Sequence, residues 1–581
     1  MINVKVEKRI NNTLPQSSSV LSDEPILHSI LRARGISSPE ELDLSIKGLL
    51  HPNDMTGLQR AAEVLQSAIL KRENILIAGD FDVDGATSTA LMLRVLKKFG
   101  VENVDYLVPN RFSFGYGLSP EFVHFALKTK KPDLIVTVDN GISSLEGVSK
   151  ARELDIKVLI TDHHLPGEFI PNATAILNPL LDKNNDKFKN LAGVGVAFYL
   201  LAQTRILLTK CGWFGENRII PPKLSSYLDL VALGTIADLV PLDCNNRRLV
   251  FNGLRLIKAK SGNPGILALI NVAGKGLPFI NESDLAFSVA PKINAAGRLA
   301  DMSIGIECLI SDDHFHCKTL AESLNEINKR RKKVEKKIQD EALKIASEVT
   351  SQFEQNQIPP GFTLFGTSWH QGVSGIVASR VKDVFNRPVI VFANDKEGFL
   401  KGSARSVAGV HIRDVLGYVD SNWPGGIIQF GGHAMAAGLS IKLTDLKEFE
   451  KRFNVALNEL YGRSYFEEVL YTDGELTKEQ YDIAFLKKLE VLGPWGNGFP
   501  EPKFDGKFDI IEIKALTGGH VRMALKPYGA EETVEAIAFG AGDSAWAKSA
   551  KSLFAVYRLQ VNRFRNAEKA QLLMDKIIEF T

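Results

Sequence analysis

Three aspartates occupy alternate positions in the segment AGDFDVDGAT, residues 78–87. Asp80, Asp82 and Asp84 follow an apolar run that is typical of a buried strand. Ionised carboxylates at this spacing repel one another, and removal from water strengthens the repulsion. The segment therefore predicts either a turn open to water or a group of carboxylates around a cation. Two other interpretations stay open on this segment alone: a calcium-binding turn, and an aspartyl-nucleophile phosphatase motif in which Thr87 stands one residue late.

Further acidic and histidine side chains follow other apolar runs. Asp139 ends the run PDLIVTVD, while Asp162, His163 and His164 follow IKVLIT. Asp238 follows an apolar segment that reads as a helix. Carboxylates are the ligands of hard divalent cations, and imidazole widens the choice towards manganese. A set of five or more acids with histidine and without cysteine suits two Mn²⁺ or Mg²⁺ ions rather than structural zinc. Two such ions can activate water and bind a phosphate during in-line displacement.

The elements that must position these side chains read as alternating strands and helices between Asn74 and Asn178. Short apolar runs such as NILIAG, LIVTV and VLIT predict strands buried on both faces, joined by crossover helices. This pattern predicts a doubly wound α/β fold with a parallel sheet. The polar residues lie at the carboxyl ends of the predicted strands, where open α/β sheets bind ligands.

A long helix and two further regions follow. Residues 313–350 contain no Pro or Gly and have apolar residues at helical spacing, which predicts one long helix. It carries seven basic residues from Lys329 to Lys337, which predict either a solvated face or a phosphate-binding surface. A second α/β region follows QNQIPPGF, and short alternating strands after Leu470 predict a small barrel or sandwich.

Composition narrows the class of protein. The chain has 581 residues, of which 45% are hydrophobic and 24% charged, with a net charge of +2. This length is too great for one hydrophobic core, and the composition excludes a disordered or fibrous protein. The small net charge requires any nucleic-acid surface to be local. Four scattered cysteines exclude a zinc ribbon or a disulfide scaffold, and we expect a cytoplasmic protein with no membrane segment.

Several motifs carry a resemblance to a known family. DFDVDGAT, VDNGIS, TDHH and GTIADLVPL resemble, in this order, the motifs of the DHH phosphoesterase superfamily. INAAGRL, HQGVSGIVASR, KGSARS and GGHAMAAG resemble the RecJ branch of that superfamily, which carries a DHH-associated domain. The match starts near residue 50 and continues to the C-terminus, where GPWGNGFPEPKF and YRLQVNRFRNAEKAQLL resemble the barrel of that branch.

The resemblance implies a parallel-sheet DHH domain, joined by a long helix to a smaller α/β DHH-associated domain, plus a C-terminal OB-like β-barrel. The expected boundaries are 1–50 for an N-terminal segment, 51–312 for the DHH catalytic domain, 313–354 for the connecting helix, 355–465 for the DHH-associated domain and 466–581 for an OB-like nucleic-acid-binding domain.

The resemblance also implies a role for each candidate side chain. The residues matched to metal ligands are Asp82, Asp84, Asp139, His163 and Asp238, with Asp139 bridging both ions and Asp80 as a supporting or direct ligand. His164 is expected to face the scissile phosphate, where a protonated imidazole stabilises charge or assists the leaving oxygen. The catalytic candidates are therefore His164 and Asp139, and Asp162 is expected to orient its neighbours. Related pyrophosphatases have a histidine where Ala78 stands here, so Asp80 is expected to compensate.

Candidate DNA-binding side chains lie away from the acids. Guanidinium groups in Gly- or Ala-rich segments suit phosphates, and Gly-rich turns that lead into helices bind anions. The candidates are Arg111, Tyr116 and Arg298 in the first domain and Ser374, Gly375, Arg380, Arg405, Gly431, Gly432 and His433 in the second. Two phosphate-binding surfaces joined by a long helix imply a narrow cleft that admits a single strand and excludes a duplex.

These features predict a metal-dependent exonuclease that degrades single-stranded DNA to mononucleotides in recombination and repair. The resemblance alone supplies 5′→3′ polarity, and it makes single-strand-binding protein and a RecQ-type helicase the expected partners. One alternative is a DHH phosphodiesterase of short oligonucleotides, nucleotides or cyclic dinucleotides, which needs neither the basic helix nor the C-terminal barrel. Another is a DNA-binding factor that has lost catalysis, which would be expected to lack some of the acids. Nothing in the sequence requires more than a monomer.

Overall fold

The structure is a computed structural model, and it describes residues 4–10, 23–109, 117–351, 359–395, 398–462, 468–542, 544, 546–564 and 567–581. The chain forms two compact units. The larger unit comprises Lys8–Ile327 and Thr472–Thr581, and the smaller unit comprises Met1–Glu7 and Asn328–Tyr471. In the described part of the chain, no helix combines the length and the apolar character needed to cross a bilayer.

The first part of the chain contains six strands and thirteen helices among the described residues. The strands are β1 (Val4–Lys8), β2 (Ile75–Gly79), β3 (Val104–Leu107), β4 (Leu134–Val138), β5 (Lys157–Thr161) and β6 (Ala175–Leu177). The helices are α1 (Pro25–Ala33), α2 (Leu58–Leu70), α3 (Val83–Lys98), α4 (Pro120–Thr129), α5 (Leu145–Glu153), α6 (Gly193–Lys210), α7 (Trp213–Glu216), α8 (Leu228–Asp238), α9 (Cys244–Lys258), α10 (Pro264–Val272), α11 (Glu282–Asp284), α12 (Ala290–Leu299) and α13 (Ser303–Ile310). A π-helical turn, Leu285–Val289, joins α11 to α12.

Strands β2 to β6 form one parallel sheet in the order β3-β2-β4-β5-β6. Alternate strand residues enter two separate cores: Ile77 and Val136 pack with α2, α3 and α6, whereas Ala78 and Ile135 pack with α4 and α5. Burial on both faces explains the continuous apolar runs of these strands. The strand order reverses between β2 and β4, which opens a crevice at their carboxyl ends.

The middle of the chain contains one long helix and the second sheet. The elements are α14 (His314–Ser351), β7 (Phe362–Phe365), α15 (Gln371–Phe385), β8 (Val389–Asn394), β9 (Phe399–Arg405), α16 (Ile412–Asn422), β10 (Gln429–Gly432), β11 (Ala436–Lys442), α17 (Leu446–Tyr461) and β12 (Glu468–Thr472). Helix α14 has 38 residues, which corresponds to about 57 Å, and its residues from Asn328 onward belong to the smaller unit.

The sheet of the smaller unit has the order β10-β11-β9-β8-β7. Strands β7 and β8 are parallel and the other pairs are antiparallel, so this α/β region has a mixed sheet. Ile338 and Ala342 of α14 pack with Val373 and Val377 of α15 in its core. The smaller unit therefore includes the second half of the long helix as part of its own core.

The C-terminal part of the larger unit is a closed five-stranded barrel in the order β13-β14-β15-β17-β16. Its elements are α18 (Ile483–Leu492), β13 (Phe504–Leu516), β14 (His520–Pro527), β15 (Val534–Ala538), α19 (Trp546–Ser549), β16 (Ser552–Phe564) and β17 (Ala567–Phe580). Closure leaves no free sheet edge, and Phe504, Phe508 and Tyr557 lie in its core. The architecture confirms the predicted parallel-sheet domain, smaller α/β domain and C-terminal barrel.

Polar contacts join the barrel segment to the rest of the larger unit. The Arg34 guanidinium donates to both carboxylate oxygens of Asp473, at 2.6 and 2.9 Å. The Trp495 amide donates to Glu282 Oε1 at 2.9 Å, and the Leu242 amide donates to the Asn497 carbonyl at 2.7 Å. These contacts join α1, α11 and the segment before α9 to the chain that leads into the barrel.

Candidate metal centre

The first acidic segment forms the connection between β2 and α3. Asp82 is the N-cap of α3, and its carboxylate accepts a hydrogen bond from the Gly85 amide at 3.0 Å. Asp84 lies in the first helical turn, where the helix dipole favours negative charge. Asp80 and Asp84 are both buried. Position 85 requires glycine because the backbone of Asp80 approaches it closely: a Cβ there would lie 2.6 Å from the Asp80 carbonyl oxygen.

The start of α6 holds the Asp84 carboxylate in place. The Gly193 amide donates to Asp84 Oδ2 at 2.6 Å, and the Val194 amide donates to Oδ1 at 2.9 Å. Both amides belong to the first turn of α6, where backbone N–H groups lack partners within the helix. Sequence reasoning missed these two residues, although the small residues of LAGVGVA, 191–197, were the available signal.

Asp139 follows β4 and has a left-handed backbone, with φ of 63°. This conformation is uncommon for residues other than glycine and recurs at functional sites. Its amide donates to the Thr161 carbonyl at 3.1 Å, and Gly193 packs so closely that a Cβ there would lie 2.7 Å from Asp139 Cβ. Asn140 donates to the Ala78 and Val138 carbonyls at 3.1 and 2.9 Å, which joins the ends of β2 and β4.

The two histidines follow β5, and Asp162 orients them. Its carboxylate accepts hydrogen bonds from the Ile142 amide and the His163 amide, each at 2.8 Å, and lies 2.8 Å from His164 Nδ1. The Asn178 side chain donates to the His164 carbonyl at 2.9 Å. The backbone of this segment and the His164 ring are therefore held by contacts with Asp162, with the residue after β6 and with the turn after β4.

His163 faces three carboxylates. Its Nε2 atom lies 3.0 Å from Asp139 Oδ1, 3.5 Å from Asp238 Oδ2 and 3.8 Å from Asp84 Oδ2. Asp238 is the last residue of α8, and the next residue, Leu239, has a left-handed backbone that ends the helix. The crevice thus receives side chains from the ends of β2, β4 and β5 and from α8.

Possible metal ligands form three overlapping groups of side chains. Within each group, the potential ligand atoms lie within 4.8 Å of one another. The groups are Asp80 with Asp82 and Asp139, Asp84 with His163 and Asp238, and Asp139 with His163 and His164. Asp139 belongs to two of the groups, and so does His163. The structure therefore brings together all the sequence-predicted metal and catalytic candidates.

Crowding of carboxylates raises several pKa values in the crevice. Burial, followed by the charges of neighbouring aspartates, raises the pKa of Asp84 to about 7 and the pKa values of Asp139 and Asp238 above their usual range. Burial, followed by the charge of His164, lowers the pKa of His163. His163 is thus a neutral imidazole, which is the form that binds metals.

The pKa of His164 is shifted in the opposite direction, upward. Burial of its ring favours the neutral form, but the hydrogen bond and the charge of Asp162 outweigh burial and raise the pKa of His164 to about 9. Near neutral pH this ring carries a positive charge beside the carboxylates. The crevice therefore contains one neutral and one charged imidazole.

The ligand atoms in the crevice are of the kinds that bind divalent cations. The convergent carboxylates supply hard oxygen donors and repel one another without a cation, and His163 supplies a neutral nitrogen. Oxygen-rich donor sets with imidazole suit Mn²⁺ and Mg²⁺, and no cysteine belongs to these three groups. These residues fit two such ions, which Asp80, Asp82, Asp84, Asp139, His163 and Asp238 could hold.

Arg298 lies on α12, which packs against the first acidic segment. The Val83 amide donates to Asn294 Oδ1 at 3.1 Å, and a Cβ at Gly297 would lie 2.1 Å from the Phe81 carbonyl oxygen. Asn294 and Arg298 are four residues apart and share one face of α12. Arg298 is therefore placed beside the crevice. The other two candidates of the first domain, Arg111 and Tyr116, lie outside the described residues.

Four of the seven candidates in the smaller unit lie together at one end of its sheet. A Cβ at Gly375 would lie 2.8 Å from Arg405 Nη2, and Arg405 pairs with Ala436 across β9 and β11. The His433 amide donates to the Ala436 carbonyl at 2.8 Å, and Gly432 has a left-handed φ of 143°. This end of the sheet groups a guanidinium, an imidazole and glycine-rich backbone.

The other three candidates differ in their surroundings. Ser374 is buried, and its hydroxyl donates to the His370 carbonyl at 3.3 Å. Gly431 has open space at its Cβ position. Arg380 Nε lies 3.9 Å from Glu335 Oε1 of α14, which places Arg380 with the long helix.

Family models match three regions of the chain. They are the DHH family N-terminal domain at residues 74–235, the DHHA1 domain at 359–459 and the RecJ OB domain at 472–576.

Two curated relatives match nearly the whole chain. The chain is 44% identical to the single-stranded-DNA-specific exonuclease RecJ of Haemophilus influenzae, over 97% of this chain and 98% of the relative. It is 43% identical to the exonuclease of that name from Escherichia coli, over 95% and 96%.

Solved structures give the same result. The chain is similar to RecJ from Thermus thermophilus in complex with Mn²⁺, with a TM-score of 0.79, 28% identity and coverage of 99% of this chain and 79% of that chain. The Mg²⁺ complex matches with a TM-score of 0.74, 26% identity and coverage of 99% and 78%. The order of the acidic motifs, the three domains and the nearly complete coverage agree: the chain belongs to the RecJ family of single-stranded-DNA-specific exonucleases.

Proposed function

We propose that this protein hydrolyses single-stranded DNA from its 5′ end, releases mononucleotides and acts in recombination and repair. The observation that supports this most is the convergence of five aspartates and His163 at the switch point of the parallel sheet. Such a donor set suits two divalent cations, and the relatives with this architecture are named single-stranded-DNA-specific exonucleases.

The proposed mechanism assigns a task to each group. Bound Mn²⁺ or Mg²⁺ ions would supply the positive charge that activates water and offsets the charge of the phosphate. The protonated ring of His164, oriented by Asp162, stabilises negative charge on the phosphate or donates a proton to the leaving oxygen. We propose that Arg298 contacts a phosphate next to the crevice.

We propose that the end of the smaller unit's sheet that carries Arg405 also binds phosphates of the strand. Arg405, His433 and the backbone near Gly375 and Gly432 suit a phosphate, and we propose the same role for Ser374, Arg380 and Gly431. Arg111 and Tyr116 complete the proposed set. We also propose the domain boundaries 1–50, 51–312, 313–354, 355–465 and 466–581.

We further propose that the protein works in the cytoplasm as a monomer. Its proposed partners are single-strand-binding protein and a RecQ-type helicase, since an exonuclease of this class requires an accessible single strand.

The function is tested with a long single strand labelled at either end, beside a blunt duplex, with Mn²⁺ or Mg²⁺. We expect early release of mononucleotide from the 5′ label only, with the duplex spared. Release from the 3′ label would contradict the polarity, and cleavage of the duplex would contradict the specificity. Tight binding of the single strand without cleavage would contradict the proposed exonuclease activity.

A further inference from the structure

The exposed face of helix α14 in the smaller unit is strongly cationic. Six side chains in the segment NKRRKKVEKK are exposed, namely Lys329, Arg330, Lys332, Lys333, Lys336 and Lys337. At 100° per residue they fall within an arc of about 160°, over about 12 Å of helix length. The segment therefore forms one continuous basic stripe, here called the α14 stripe.

The opposite face fixes the rotation of the helix about its axis. Arg331 is buried and donates to Asn328 at 3.1 Å and to Glu335 at 2.9 Å. Trp369 donates to Glu341 of the same helix at 2.7 Å, and Ile338 lies in the core beneath the sheet. Since these residues all turn inward, the stripe must face outward.

Five of the six stripe residues lack the pairing seen elsewhere on the helix. Arg330, Lys332, Lys333, Lys336 and Lys337 form no ion pair among the described residues. Lys318 and Lys344, by contrast, pair with glutamates four residues further on, at 4.0 and 3.9 Å. The one acid inside the stripe segment, Glu335, is buried against Arg331. Like charges three and four residues apart destabilise a helix, so the stripe has an electrostatic cost that an anionic partner would offset.

We propose that the α14 stripe binds the phosphates of single-stranded DNA, as a docking surface additional to the catalytic crevice and to the anion-binding end of the smaller sheet. Charge complementarity supports this occupant, because lysines and arginines that neutralise phosphates release counterions. The stripe has no exposed apolar residue, whereas a membrane-surface helix needs an apolar face. The inference rests on the proposed function, since it assigns the partner as the substrate strand.

The test compares two double variants that remove equal charge from α14. Lys333→Gln/Lys336→Gln alters the stripe, and Lys318→Gln/Lys344→Gln alters paired lysines on the same helix. The affinity for a thirty-nucleotide oligothymidylate is measured without divalent metal at several salt concentrations. At about 0.7 for each phosphate contact on a single strand, we expect the stripe variant to lose about 1.4 from the slope of log affinity against log salt. If the two proteins bind equally at 1 M salt, the same relation makes the stripe variant bind about 25-fold more weakly than the wild type at 0.1 M salt.

The control variant is expected to keep the wild-type slope. An equal slope for wild type and stripe variant would overturn the inference, and so would an equal loss in both variants. Binding of poly-glutamate that the stripe variant loses, with oligothymidylate binding unchanged, would assign the stripe to an acidic protein and also overturn it. Turnover of a long single strand with Mn²⁺ is measured separately. Its absence in the wild type would reject the proposed activity, while the binding comparison would still decide the role of the stripe.

Discussion

Asp139 combines three properties that single it out among the acids of the crevice. It has a left-handed backbone, it is buried, and it shares potential ligand groups with both Asp82 and His163. A backbone conformation of this kind costs free energy and persists only where the surroundings enforce it. Here the Thr161 carbonyl and the start of α6 enforce it, and the result is a carboxylate aimed at the centre of the donor set.

Asp139→Ala is expected to abolish hydrolysis without loss of the fold. Removing the carboxylate takes a potential ligand from two of the three groups at once. We therefore expect kcat to fall by about three orders of magnitude, as when other preorganised electrostatic groups are removed. Steady-state turnover of single-stranded DNA and far-UV circular dichroism measure the two effects. The control is Asp186→Ala, which removes an exposed aspartate paired with Lys189 at 2.7 Å. Activity near the wild-type level in Asp139→Ala would contradict the metal assignment.

Mn²⁺ is expected to raise the melting temperature of the wild type. The crowded carboxylates disfavour the folded metal-free protein, and a cation bound only to the folded state stabilises it, by about 2.7 kcal/mol at a concentration 100 times its Kd. Asp139→Asn removes a charge that repels the neighbouring carboxylates, so the metal-free variant should have a higher melting temperature than the metal-free wild type. The variant also lacks one metal ligand, so Mn²⁺ should raise its melting temperature by less. Differential scanning fluorimetry measures both. Equal shifts in the two proteins would show that Asp139 does not bind the ion.

Gly193→Ala tests the packing beneath the metal centre. The added methyl would lie 2.7 Å from Asp139 Cβ and 2.9 Å from its Cα, so the carboxylate must move. Overpacking of this kind costs about 1–3 kcal/mol, and a displacement of about 1 Å at a catalytic group lowers turnover about 10²-fold. Chemical denaturation and turnover measure these effects. Gly417→Ala in α16 is the control, because its Cβ position is open; equal behaviour of the two variants would contradict the close packing.

Helix α14 shows how one element can contain both a buried ion pair and an exposed cationic stripe. Its sequence pattern predicts a helix, but the pattern of charges alone does not distinguish Arg331 from its basic neighbours. The distinction arises from contact with α15, since Arg380 Nε approaches Glu335 from that helix at 3.9 Å. A charge that turns inward needs a partner, and Glu335 supplies it.

Glu335→Ala is expected to destabilise the smaller unit by about 3 kcal/mol, because it leaves the Arg331 guanidinium buried without its partner carboxylate. Hydrogen exchange of the amides in α14 and α15 measures the loss within the whole protein. The matched control is Glu348→Ala on the same helix, which removes an exposed carboxylate paired with Lys344 and should cost less than about 1 kcal/mol. Similar protection in both variants would show that the buried pair contributes little.

The larger unit contains partly buried polar contacts between distant parts of the chain. Glu282 of α11 accepts a hydrogen bond from the Trp495 amide, 213 residues further on, and burial raises the pKa of its carboxyl above the usual range. A carboxyl with a raised pKa binds its proton more tightly in the folded state than in the unfolded state. Its contribution to stability is therefore lost as the pH rises from the unfolded pKa, about 4.3, through the higher folded pKa.

Glu282→Gln should reduce this pH dependence. The amide keeps an oxygen that accepts from the Trp495 N–H and has no charge to bury, so the variant should gain in stability relative to the wild type as the pH rises. We expect the difference in melting temperature between variant and wild type to be more positive at pH 8 than at pH 4.5. Glu512→Gln, an exposed site on β13, is the control and should show no such trend. A difference that does not change with pH would contradict the role assigned to Glu282.

The sequence by itself determined the fold class, the order of the acidic motifs and the family. These properties are local: apolar runs report buried strands, and parallel strands in succession bring their carboxyl ends to one edge. It also contained the basic segment of α14, although both interpretations of that segment stayed open.

Only the tertiary structure decided which groups meet and how each side chain points. The amides that hold Asp84 come from residues 109 and 110 positions away, and nothing in the acidic motif indicates them. The left-handed backbone of Asp139, the protonated ring of His164 and the inward turn of Arg331 depend equally on their surroundings in the fold. The physical reason is that a sequence pattern records which residue types are present, whereas burial, hydrogen bonding and charge state are set by neighbours in space.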